Sequence, residues 1–188
     1  MPSWLGRQVI QTTGPAAGSA GAEIQARYMA VISAGERRDA AGQIAAMDEM
    51  VAAAEAAGFW EVVAAVDRYR FAVAARSEPL ETAVKATTRA IYSLPFRPAS
   101  GSRESALLNA WANFDMAPRH PEAVDFSAVL KALVDAAVAA DARNVVASIR
   151  MLMNAPNPAG TETALRALAL SVYKDSYHRP PPPPLESY

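Results

Sequence analysis

Along most of this chain apolar residues recur at the three- and four-residue spacing of one α-helix face, and strand-like alternation is almost absent. The first helical stretch starts near Ala22, where Ile24, Tyr28, Val31 and Ile32 share a face and Gly35 offers a C-terminal stop. A second helix is predicted over roughly 37–57, with Ile44, Met47, Val51 and Ala54 on its stripe and Gly58 as its end. A third, from Phe59 to about Arg76, is expected to turn Phe59, Val62, Val63, Val66 and Val73 inward. "SEPLE" then restarts the chain. Ser77 suits an N-cap, and Pro79 fits a first turn, where its missing donor costs little. The helix that follows should bury Leu80, Val84, Thr87 and Ile91 and break at "LPFRPASGS". A fifth, from about Ser102 to Phe114, packs Leu107, Leu108, Trp111 and Phe114.

The longest predicted element spans 125–154, where neither Gly nor Pro interrupts the chain. Phe126, Leu130, Val134 and Val138 form one apolar row that resumes at Val145, Ile149 and Met153. As one helix this would be a rod of about 40 Å. A break capped by Asp141 is the alternative, and continuity is the expectation. "NAPNPAGT" ends it, and Thr161 can cap a last helix through about Lys174. The expected fold is therefore all-α, a bundle of about seven helices with one long helix near 125–154. Residues 22–176 read as a single helical domain, and no repeat of helical pairs is evident.

The two ends depart from this pattern. Residues 1–21 are rich in Gly, Pro and Thr around Trp4, Val9 and Ile10, and read as an extended arm. Residues 177–188, "YHRPPPPPLESY", read as a second arm, because a proline run can join neither a helix nor a sheet interior. Arg179, Pro182, Leu185 and Tyr188 are its candidate contact points.

Composition sharpens the helical reading. Alanine supplies 43 of 188 residues and aromatics only 7%, which favours thin, closely approaching helices over a fat aromatic core. Net charge is −1, so the chain as a whole is no polycation. Its charge is nevertheless segregated. Positions 21–66 hold three Arg against seven Asp or Glu, a net of −4, and positions 67–119 hold eight Arg or Lys against five acids, a net of +3. There is no Cys, which excludes disulfides and thiolate metal sites. No apolar run is long enough to span a membrane, and the start lacks the pattern of a secretory signal. The expected location is inside a cell or in an assembled particle.

Candidate chemistry is sparse. His120 and His178 both sit in proline-rich contexts far apart, which suits neither a metal site nor a catalytic triad. The acid pairs Asp48–Glu49 and Glu78–Glu81 lack the apolar cover that would raise a carboxyl pKa, and read as surface acids. "GPAAGSAG" follows no strand and lacks the Lys-Ser/Thr ending of a phosphate-binding loop. Asp115, beside Phe114, reads either as an exposed helix-end acid or as the partly buried partner of an Arg. No catalytic residue, cofactor or metal ligand is assigned.

One stretch does suggest a partner. "DRYRFAVAAR" sets Arg68, Arg70 and Arg76 beside Tyr69 and Phe71, and Lys85, Arg89, Arg97 and Arg103 follow. Cations interleaved with rings suit a nucleic-acid backbone, and they equally suit a solvated or subunit-facing surface. The sequence thus points to a non-enzymatic structural protein that self-assembles through its arms, of the kind that coats a filament or virion and contacts nucleic acid. The alternative is an α-helical adaptor or accessory subunit whose proline-rich tail binds a partner.

Overall fold

The computed structural model describes residues 19–177. Most of both expected arms, with Trp4, Val9, Ile10, Arg179, Pro182, Leu185 and Tyr188, lies outside the described residues; of the rest, Ser19 to Gly21 cap and open the first helix and Tyr177 is buried in the core. What is described is all-helical, with eight α-helices and two short 3-10 turns. The chain divides into two compact units, one ending at Pro95 and the other beginning at Phe96.

The first unit contains α1 (Ala20–Glu36), α2 (Ala40–Ala57), α3 (Trp60–Ala75) and α4 (Leu80–Ser93). Sequence neighbours pack as spatial neighbours, and α4 returns to touch α1. Ser19 caps α1 by accepting from the Ala22 amide at 3.2 Å, and Asp39 caps α2 by accepting from Gly42 at 2.8 Å. The expected α1 face is buried throughout, as are Met47, Ala54, Val62, Val63, Val66, Val84, Thr87 and Ile91. Five expected core positions are not: Val51 and Phe59 are only partly buried, and Ile44, Val73 and Leu80 are each about half exposed or more. Leu80 is the first residue of α4, and the cap there is Pro79 rather than Ser77.

The helix ends explain where the pattern alone misleads. Gly58 adopts φ 71° and lets the Phe59 amide reach back to the Ala54 carbonyl at 2.8 Å, the six-residue closure that glycine favours. The same closure ends α1, but with Arg38 at φ 58° and the Asp39 amide on the Ala34 carbonyl at 2.9 Å. Gly35, expected as the stop, lies inside α1.

The second unit contains α5 (Arg103–Met116), α6 (Phe126–Ala139), α7 (Arg143–Met153) and α8 (Pro158–Ser176). The predicted rod over 125–154 is thus two helices. Asp141 sits at φ 52°, and the Ala142 amide donates to the Ala137 carbonyl at 2.9 Å, closing α6 as Gly58 closes α2. Ala137 and Ala142 are both buried, which supplies the apolar contact that accompanies this motif.

The core gathers Leu107, Leu108, Trp111 and Phe114 of α5 with Leu133, Val145, Ile149, Leu168 and Val172. Trp111 stacks on Phe114 at 5.7 Å between centroids, and Phe114 meets Phe126 at 5.5 Å. The predicted α6 row is displaced: Leu133 and Ala137 are fully buried, whereas Phe126 and Val138 are about half exposed or more, and so is Met153 on α7. Two apolar rows run down α6, and periodicity cannot choose between them. The last helix is capped by Asn157, which accepts from Gly160 at 2.8 Å, with Pro158 in the first turn; Thr161 instead donates to the Asn157 carbonyl.

Candidate functional site

The basic positions divide between the two units. On α3, Arg68 grips Glu78 through two parallel bonds of 2.6 and 2.7 Å, a fork-to-fork geometry only partly open to solvent. Arg70 pairs with Asp48 of α2, and Lys85 with Glu81 one turn earlier on α4 at 3.0 Å. Arg27 bridges Glu23 and Glu49 at 2.9 and 2.6 Å. All four carboxylates of the two sequence pairs Asp48–Glu49 and Glu78–Glu81 are therefore engaged by cations. Two of these pairs join separate helices, Asp48 to α3 and Glu49 to α1. A phosphate would have to displace a carboxylate to reach Arg68, Arg70 or Lys85.

The remaining members of the strip are placed differently. Arg76 is exposed in a left-handed conformation at the end of α3, and Arg89 is half-buried on α4. Arg97 belongs to the second unit, where it clasps α5 by donating to Ser105 Oγ at 3.3 Å and Asn109 Oδ1 at 3.2 Å. Arg103 is exposed on the first residue of α5. Tyr69 turns toward the interior, and burial pushes its phenol pKa up. It does not stand outward beside Arg68 and Arg70 as a stacking platform would.

The interior of the first unit holds a polar seam that the sequence did not reveal. Tyr28 Oη and Thr88 Oγ1 meet at 2.7 Å between α1 and α4, and Thr87 Oγ1 donates to the carbonyls of Ala65 and Ala83. Next to it, Tyr28, Met47, Met50, Val66, Tyr69 and Val84 line a crevice of about 20 Å³. That is space for about one water molecule, far too little for a substrate or cofactor.

In the second unit, Asp115 and Arg119 form a partly buried pair at 3.1 Å, the structural lock weighed as one reading of Asp115. His120 is exposed just after a 3-10 turn, where its amide donates to the Ala117 carbonyl. No cluster of His, Asp and Glu that could hold a metal occurs among the described residues, and none of their helices is long and apolar enough to cross a membrane.

What remains are surfaces. On α2, Met47, Met50 and Ala54 face the core, yet Ala41, Ile44, Ala45, Ala52 and Ala56 on the far side are exposed. The uncovered face thus mixes Ile44 and alanines with the exposed acids Asp48, Glu49 and Glu55. In the second unit a groove of about 320 Å³ runs between the end of α6 and the outer side of α7. Its floor is made of Ala137, Ala142, Val146 and Ala147, its rim carries Val138 and Arg150, and Asp141 and Arg143 stand at one end. These surfaces lay hidden in the sequence because Ile44 and Val138 read as core. Compared with known protein families, curated proteins and solved structures, the chain matches none.

Proposed function

We propose that this chain is a non-enzymatic structural subunit that self-assembles. The observation that carries the reading is the outer face of α2. Around the acids Asp48, Glu49 and Glu55 this face leaves Ile44 59% exposed among exposed alanines, an apolar patch that docking on another surface would remove from water. The exposed Val138 and Met153 of the second unit point the same way. Alanine-rich faces suit assembly because small side chains let helices approach closely.

The run of five prolines at 180–184 adds the second support. A proline run is already extended before it docks, so little conformational entropy is lost on binding. Deleting Arg179 to Tyr188 should leave the helical circular-dichroism signal of the chain intact and reduce its sedimentation coefficient at a given concentration. Loss of helicity on deletion would mean that the tail serves its own fold, and the arm would drop out of the reading. In a coat-like assembly, nucleic acid would meet the cations not committed to carboxylates, such as Arg76 and Arg103. Its binding would then weaken steeply with salt and ignore base sequence.

A further inference from the structure

We infer, building on the self-assembly reading above, that the chain associates head to tail: the outer face of α2 in one copy docks in the α6–α7 groove of the next. Charge is the first argument. Helix α2 carries Asp48, Glu49 and Glu55 and no cation, whereas α7 carries Arg143 and Arg150 and no acid. Glu55 and Arg150 are exposed and have no ion-pair partner among the described residues. Each therefore reaches solvent with its charge uncommitted.

Spacing is the second argument. Asp48 and Glu55 are seven residues apart, two turns of one helix face, or about 10 Å. Arg143 and Arg150 have the same spacing on α7. With α2 laid parallel to α7, Asp48 meets Arg143 while Glu55 meets Arg150, and Ala52 falls opposite Ala147. Ile44, one turn before Asp48, then reaches the α6 end of the groove, where Ala137, Ala142 and Val138 leave room for a branched side chain. Burying most of an isoleucine there removes the largest apolar group that α2 leaves in water.

Two contacts within the chain must be shared. Arg70 already holds one oxygen of Asp48, and Asp141 accepts from Arg143 at 3.3 Å in a pair more than 80% exposed on both sides. Such an exposed pair contributes little and yields readily to a better one. Because the two surfaces differ, the contact is heterologous and propagates into a ring or a filament rather than closing as a dimer.

Sedimentation velocity on the full chain tests this with wild type, Ile44→Asp, Arg150→Glu and an equimolar mixture of the two variants. Each variant alone should associate about tenfold more weakly or worse, since both changed groups lie in the contact. The mixture should form a 1:1 complex that grows no further, because each variant keeps one intact half: the groove of the first and the α2 face of the second. A mixture that remains monomeric, with both variants helical by circular dichroism, overturns the pairing. If Ile44→Asp fails to fold, Glu55→Arg takes its place, and combining it with Arg150→Glu in one chain should restore association. Wild-type assembly that neither variant weakens overturns these surfaces and leaves self-assembly standing. A monomeric wild type removes both.

Discussion

Three helix ends show how single residues shaped what could be read in advance. At Gly58 the left-handed turn is announced by the one residue that enters it without strain, and the end of α2 was legible. At Arg38 and Asp141 the same turn is made by residues that carry a Cβ; nothing announces it at Arg38, and at Asp141 a break was only the alternative to a continuous helix. Asp141→Gly and Arg38→Gly should each stabilise the protein by about 0.5–1 kcal/mol, relieved strain outweighing the added freedom of the unfolded chain. Gly58→Ala should cost about 1 kcal/mol. Chemical denaturation of the three variants checks both signs. Tyr28 offers a separate handle. Burial raises its phenol above the ordinary value of 10.0, and the hydrogen bond with Thr88 opposes this only in part. A folded pKa above the unfolded one means that the protonated phenol favours folding. That contribution is whole below about pH 10 and is lost as pH rises through the folded value. Urea midpoints followed from pH 9 to 11.5 should therefore fall more steeply for wild type than for Tyr28→Phe.

At the scale of elements, periodicity finds helices better than it finds their buried side. The faces of α1 and α5 were legible because each carries one apolar stripe, ending at Ile32 and Phe114. Helix α6 carries two rows, and the buried one is centred on Leu133 and Ala137 rather than on Val138. Leu133→Ala should cost about 2–5 kcal/mol by opening a cavity, whereas Val138→Ala should stay within about 0.5 kcal/mol. Equal costs in thermal melts would mean that the helix is turned. The same ambiguity hid the α2 face, since an alanine-rich helix looks equally buried from every side. Ion pairs were illegible for another reason. Glu78 lies near Arg68 in sequence, but Asp48 meets Arg70 and Glu49 meets Arg27 only once helices have packed. The basic strip looked available because its partners were spread along the chain.

For the whole molecule, the segregated charge now has a location. Part of the acidic excess of positions 21–66 lies on α2, whose outer face is exposed, and two cations, Arg143 and Arg150, lie on α7, a helix without acids outside the strip that first drew attention. The self-assembly reading proposed above has these two surfaces meet between copies of the chain. The adaptor reading requires instead a chain that stays single until a foreign groove takes its proline run. The molar mass of the intact protein, measured by multi-angle light scattering across a hundredfold concentration range, separates the two. Self-assembly predicts a mass that rises with concentration to many times 19.9 kDa. A constant mass of 19.9 kDa over the whole range would contradict it.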